Sequence, residues 1–216
     1  MTKEYYQIKD KCRSGLLKYL AKAVSLLPKI NNPKILDIGC GTGVPTLWLA
    51  ENYGGIITAI DSDKDALDWL KKKVTKKGLE NQITVINIPF SGLKQVPIFY
   101  DIIIAEGFLN IIGFEQGFVK LIEMLKGKGY FLIHDEYKDH NMKCEFIEER
   151  ECDLIGTILV DENVLRNQYY RQLEEEINSP DIIPIKHLFR SELKEIILYK
   201  LDPLPFQSMY YIIRKL

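Results

Sequence analysis

Little in this 216-residue sequence commits it to a charged partner. Twenty-nine Lys and Arg stand against 30 Asp and Glu, a formal net charge of −1. Nothing global draws such a chain to a nucleic-acid backbone or an anionic membrane. No apolar run approaches the roughly 18 residues a membrane span needs, and the start, Met1 to Tyr6, has no apolar signal-peptide core. The four cysteines, Cys12, Cys40, Cys144 and Cys152, form no C-x-x-C pair, and the sequence has only three histidines. A zinc site is therefore not expected, and the thiols read as reduced, in a soluble cytoplasmic protein. Internal repeats, low-complexity tracts and flexible linkers are missing too.

What is present alternates between strand-like and helix-like segments, the pattern of a mostly parallel sheet covered on both faces. A leading helix is expected from about Tyr5 to Leu27, closed by Pro28 and the Asn31-Asn32-Pro33 turn. Short strands are expected at Lys34–Ile38, Ile56–Ile60, Ile83–Ile88, Asp101–Ala105, Tyr130–His134, Leu154–Val160 and Met209–Arg214. Between the first two, Pro45 to Asn52 reads as a helix; between the next two, a helix runs from an Asp63 cap to Gly78. Its lysines, Lys71, Lys72, Lys73, Lys76 and Lys77, oppose the apolar stripe of Leu67, Leu70 and Val74 and read as a solvated face. Phe118, Leu121, Ile122 and Leu125 set the face of a later helix, and a short one falls near Cys144 to Glu151. About fifty residues separate the last two strands, where connections usually run to roughly four to six. That insertion, about 161–205, is expected to be a lid over a site or a contact with a second copy of the chain. One domain spanning 1–216, with the leading helix within 1–30, accounts for the whole pattern.

The segment Ile35-Leu36-Asp37-Ile38-Gly39-Cys40-Gly41-Thr42-Gly43 is the most informative. A buried strand delivers the chain into a turn of alternating glycines, where a ligand can approach the backbone and the next helix presents unpaired N–H groups. A dinucleotide site calls for G-x-G-x-x-G, but position 44 is Val44. Here the spacing is G-x-G-x-G with an acid, Asp37, two residues ahead. A pyrophosphate has no use for that carboxylate, whereas a phosphate-free cofactor with a cationic amino-acid end does. S-adenosylmethionine is such a cofactor. Asp61, with Ser62 beside it, ends the second strand where a carboxylate can accept from both ribose hydroxyls; capping the next helix is its competing role.

These residues, with Tyr100-Asp101-Ile102-Ile103-Ile104-Ala105-Glu106-Gly107 and Leu125-Lys126-Gly127-Lys128-Gly129-Tyr130, resemble the class I, Rossmann-like S-adenosylmethionine-dependent methyltransferases over nearly the whole chain. Ala105-Glu106-Gly107 followed by Asn110 to Glu115 is similar to a bacterial and archaeal subgroup of small-molecule methyltransferases. The resemblance implies a doubly wound seven-stranded α/β sheet of order 3-2-1-4-5-7-6, the last strand antiparallel. It implies cofactor contacts from Asp37, Gly39, Cys40, Gly41, Thr42, Gly43, Asp61, Ser62 and Glu106, with adenine near Pro89 and Phe90. Pro89 departs from the acid usual there, leaving Asn87 as a substitute.

Methyl transfer from a sulfonium needs alignment and exclusion of water, and a base only when the nucleophile arrives protonated. Candidate catalytic residues are Glu106 and His134, at strand ends, and Tyr170 in the insertion. Each competes with a plainer role as helix-start acid, solvated histidine or packing aromatic. Arg166, Tyr169 and Tyr170 are expected to face the acceptor, with Tyr5 and Tyr6 as further lid residues. The Asn/Asp-Pro-Pro-aromatic motif of base and glutamine methyltransferases is replaced by Ala105-Glu106-Gly107-Phe108. The expectation is a small-molecule substrate, no nucleic acid, no membrane, and a homodimer if the insertion is not a lid. A protein or RNA methyltransferase, an NAD-dependent oxidoreductase and a non-catalytic cofactor-binding protein are the alternatives.

Overall fold

A computed structural model describes residues 3–95 and 99–216. Among these residues seven strands form one sheet, β1 Lys34–Ile38, β2 Ile56–Asp61, β3 Ile83–Asn87, β4 Tyr100–Glu106, β5 Leu125–Glu136, β6 Cys152–Val160 and β7 Ser208–Lys215. Their order is β3-β2-β1-β4-β5-β7-β6, parallel except for β7, which runs antiparallel to both neighbours. The central strands β1 and β4 are buried along nearly their whole length, as expected of parallel strands covered on both faces.

Helices pack on both sides. On one face lie α1 Lys3–Ser14, α2 Leu17–Ser25, α3 Val44–Asn52 and α4 Lys64–Lys77, where Leu20, Leu49 and Leu67 meet Ile35, Ile57 and Ile104. On the other lie α5 Leu109–Ile112, α6 Phe114–Glu123 and α7 His140–Glu148, where Phe118, Leu121 and Ile147 meet Ile103 and Phe131. Asp63 caps α4 by accepting from the Ala66 amide, and Gly78 closes it in the left-handed conformation. The lysine face of α4 is mostly exposed, but Lys73 is half-buried and pairs with Asp10 of α1. No helix among the described residues is long and apolar enough to cross a membrane.

Several boundaries differ from the periodicity. The leading helix is two helices, broken at Gly15 and Leu16. A Cβ on Gly15 would stand 2.7 Å from the backbone carbonyl oxygen of Gln168, so only glycine lets this elbow meet the insertion. The apolar stripe of α6 ends before Leu125, which already pairs with Tyr100 in β5. The Gly127–Gly129 turn becomes an irregularity inside that strand, with Lys128 at φ +65°. β5 then runs on to Glu136, which draws His134 and Asp135 into the sheet.

The insertion begins with a helical stretch of three parts: α8 Glu162–Leu165, a π turn Arg166–Tyr170, and α9 Arg171–Ile177. A 3-10 segment, Pro180–Phe189, α10 Arg190–Leu201 and a 3-10 turn, Leu204–Phe206, follow before β7. Leu165, Leu173 and Ile177 are buried in the same core as α1 and α2, so this stripe is covered by the chain's own helices. Tyr5 of α1 donates to Glu192 of α10 at 2.8 Å, and Lys9 pairs with the same carboxylate at 2.7 Å. The leading helix and the insertion thus form one cap over the carboxyl ends of the strands. Gly15→Ala should strain the elbow on which that cap rests and lower stability by about 1–3 kcal/mol in urea titration. Unchanged stability would show that the elbow can shift at no cost.

Candidate functional site

Where the parallel strands end, register gathers polar side chains into a row. Glu106 of β4 stands opposite His134 of β5, and His134 stands opposite Tyr210 of β7. Arg13 of α1 reaches this row from above. Its Nη2 donates to Glu106 Oε2 at 2.7 Å, and the Tyr210 hydroxyl donates to Oε1 at 2.6 Å. Both carboxylate oxygens of Glu106 are thereby engaged. Glu106, a candidate to contact the cofactor or the acceptor, lies on the groove wall and anchors Arg13 there.

Asp37 is buried in β1 and accepts from the Thr46 hydroxyl at 2.5 Å. Burial pushes its carboxyl up to about 7, against the Thr46 hydrogen bond, and the nearby Glu106 and Asp61 push the same way. The loop after it has positive φ at Gly39, Gly41 and Gly43, at +71°, +52° and +77°. Its form depends on Asp61, whose Oδ2 accepts from the Gly41 amide at 2.7 Å and whose Oδ1 accepts from the Asp63 amide at 2.8 Å. Asp63, not Asp61, caps α4. A Cβ on Gly41 would meet nothing within 4 Å, so the loop borders open space.

That space has two ends meeting at Gly39 and Gly107. One end, about 320 Å³, is walled by Asp37, Cys40, Gly41, Thr42, Glu106 and the cap residues Tyr5, Tyr6 and Tyr169. The other, about 300 Å³, is walled by Asp61, Ser62, Ile88, Phe90, Phe108 and Ile111. The first offers carboxylates to a cationic amino-acid end, the second a flat apolar slot for a purine. Phe90 and Phe108 meet edge to face with ring centres 5.6 Å apart. These features fit S-adenosylmethionine. The acid usual at the adenine position has no replacement: Pro89 is not on the wall, and the Asn87 amide donates to the Asp61 carbonyl oxygen at 3.0 Å. Burial pushes the Cys40 thiol up, so it is a wall and not a nucleophile.

A third cavity of about 770 Å³ opens beside the row and shares Arg13, Gly107 and Tyr169 with the cofactor groove. His134 is on its wall, buried and stacked on Tyr210 with ring centres 4.3 Å apart. It is not the solvated loop histidine that a strand end also allowed. Burial, and then Arg13, hold its imidazole well below the usual value, so it is neutral. Its Nε2 lies 2.8 Å from Ser208 Oγ, and among the described residues its Nδ1 has no partner. His140 lies elsewhere, half-buried against the Tyr211 hydroxyl at 3.1 Å.

Of the three insertion residues expected here, Tyr169 faces both groove and chamber. Tyr170 borders the chamber with its ring, while its hydroxyl donates to Glu195 at 2.5 Å. Arg166 does not face the acceptor side; the π turn places it in a separate outer cavity with Asn163, Lys200 and Pro203. Arg13, Tyr210, Ser208 and Glu195 do not stand out in the sequence. No local pattern marks them, because each acquires its place only through contacts with residues 25 to 104 positions away. Phe108, directly after Glu106-Gly107, was legible as a neighbour of the site.

Residues 35–129 match the model of a family described as a methyltransferase domain. A ribosomal protein L11 methyltransferase of Thermosipho melanesiensis is 26% identical over 66% of this chain and 62% of its own. The chain spans 18% to 42% of the length of several other curated relatives. Among solved structures, the cyclopropane synthase MmaA2 of Mycobacterium tuberculosis superposes with a TM-score of 0.77 at 15% identity, over 92% of this chain and 84% of that one. A Thiobacillus denitrificans S-adenosylmethionine-dependent methyltransferase, solved with S-adenosylhomocysteine, does so at 0.64 and 16%, over 91% and 89%.

A neutral buried His134 has a thermodynamic signature. The unfolded imidazole binds a proton below about pH 6.5 and the folded one does not, so its contribution to stability is lost as pH falls through that value. The buried Asp37 carboxyl acts in the opposite sense between about pH 7 and 4, because there the folded state holds the extra proton. The comparison must therefore be a difference. The stability of wild type minus that of His134→Gln should fall by up to about 1.4 kcal/mol per pH unit below pH 6.5. A pH-independent difference between urea titrations would mean that His134 binds its proton equally in the folded and unfolded states.

Proposed function

With residues 35–129 belonging to the methyltransferase-domain family, we propose that this protein transfers a methyl group from S-adenosylmethionine to a small-molecule acceptor. The observation that carries this reading is the continuity of the two spaces. Gly107 and Tyr169 are walls of both the groove along the glycine loop and the chamber under the cap. The chamber, at about 770 Å³, lies within the range of small-ligand sites, roughly 300–1,000 Å³. Its roof comes from the insertion and the elbow of the leading helices, which favours an acceptor able to enter beneath them over an extended polymer.

Bound S-adenosylmethionine supplies a methyl group already activated on a sulfonium. The chain's residues have the rest to do. Asp37 would pair with the cofactor's ammonium, and Arg13, held by Glu106, would offer its remaining N–H groups to the carboxylate. Asp61 keeps lone pairs for the ribose while it holds the Gly41 amide. Ile88, Phe90 and Phe108 would sandwich the adenine. Tyr169 and the cap exclude water from the transferring methyl group.

The cofactor is tested by ligand-linked stability. S-adenosylhomocysteine should stabilise the fold by about 2.7 kcal/mol at a hundredfold excess over its dissociation constant, and NAD should not. Stabilisation by NAD alone would overturn the reading. The acceptor class is tested by incubating the protein with methyl-labelled cofactor and cell extract, then separating small molecules from protein and RNA. Label appearing only in macromolecules would contradict the small-molecule assignment.

A pH dependence follows from Asp37. Its carboxyl takes a proton below about pH 7, and an ammonium partner needs the carboxylate, so binding must expel that proton. Calorimetric affinity for S-adenosylhomocysteine should therefore weaken by up to about tenfold per pH unit below pH 7. Asp37→Asn should bind more weakly at pH 8 and lose the slope. A slope that survives the substitution would assign it to another group.

A further inference from the structure

The walls of the acceptor chamber carry an imbalance of charge. Its cation nearest the groove, Arg13, is already paired with Glu106, and its buried acid Asp135 is paired with Lys143 at 2.8 Å. Glu195 and Glu136 are also on the wall, and among the described residues neither forms an ion pair. Against these two acids stands Lys138, exposed at the rim. The Glu195 carboxylate accepts from the Tyr170 hydroxyl at 2.5 Å, which fixes it against that ring.

Aromatic faces accompany the acids. Tyr169 and Tyr170 meet edge to face at 5.1 Å, and Phe206 packs edge-on to Tyr170 at 5.8 Å. Burial pushes the Tyr169 phenol up to about 12, so it is uncharged, and among the described residues its hydroxyl has no partner. Glu136 and Lys138 are both exposed at the rim and offset one another, so deeper in the chamber carboxylate and phosphate ligands would find no unpaired cation, and the half-buried Glu195 stands unmatched. A cation would find ring faces, an unpaired carboxylate and a phenol oxygen together.

We propose that the acceptor is an amine, received as an ammonium ion between the rings of Tyr169, Tyr170 and Phe206 and the carboxylate of Glu195. This rests on the methyltransferase reading above. His134 Nδ1 is fully buried and stays outside the step; the ammonium gives up one proton to water at the open rim of the chamber before transfer. The freed nitrogen lone pair forms the new N–C bond as the C–S bond breaks, its electron pair remaining on sulfur. The product leaves as a methylammonium ion.

The test measures binding without cofactor, by calorimetry at pH 7.5, for 2-phenylethylamine, 2-phenylethanol and 3-phenylpropionate. The amine should bind roughly tenfold tighter than either analogue. Glu195→Gln, which keeps an acceptor for the Tyr170 hydroxyl, should remove most of that preference and leave the alcohol unchanged. Equal or tighter binding of the alcohol or acid, no binding of the amine, or an unchanged preference in Glu195→Gln would each overturn the proposal. S-adenosylhomocysteine titrated into the same samples separates the two levels. If it binds and the amine is not preferred, only the amine assignment fails; if it does not bind at all, the methyltransferase reading fails.

Discussion

The pairing of Arg13 with Glu106 organises everything at the carboxyl edge of this sheet. A carboxylate at the end of a central strand, its side chain 6% exposed, is stable only with its charge matched and its oxygens hydrogen-bonded. Arg13 supplies the match from α1 and Tyr210 supplies the second hydrogen bond from β7. Removing one member of such a pair costs roughly 3–5 kcal/mol, because the other is left buried and unmatched. The pair therefore ties the leading helix to the strand end. Through Tyr5 and Lys9 on the same helix it also ties down α10, the last helix of the insertion.

That one constraint divides the space above the sheet. Arg13 stands between groove and chamber, and the row Glu106, His134, Tyr210 forms the floor beneath it. Two ionisable groups near it are pushed toward neutrality by the same burial: Asp37 upward, His134 downward. They differ in what they have nearby. Asp37 borders the part of the groove suited to a cation, so a bound ammonium can return its charge. His134 is buried under the Tyr210 ring and beside Arg13, so it stays neutral.

The proposed acceptor chamber lies where the insertion covers the sheet. In open α/β folds the ligand lies beyond the carboxyl ends of the strands, where the glycine loop after β1 borders the groove. The acceptor side is built largely from the segment between β6 and β7. Along the π turn Arg166–Tyr170, Tyr169 lines the chamber, Tyr170 stands between the chamber and the outer cavity, and Arg166 lines the outer cavity alone. The expectation that all three face the acceptor therefore fails at Arg166.

Seven apolar runs along the sequence carried the strand count, and the family resemblance implied the strand order that the sheet shows. The sequence carried the placing of the glycine loop as well: Asp37, Gly39–Gly43 and Asp61 fall within 25 consecutive positions, and the structure gathers them along one groove. Some local limits depart from the periodicity for tertiary reasons. Gly15 fits a helix interior as a tolerable glycine, but the Gln168 carbonyl lies against it, and Leu125 fits a helical stripe but pairs with Tyr100 instead. Only the folded structure decided the acceptor side. Arg13 and Glu106 are 93 positions apart, His134 and Ser208 74, and Glu106 and Tyr210 104. Contacts of that span depend on how α1 packs on the sheet and on strand register, and no pattern along the chain encodes either one locally.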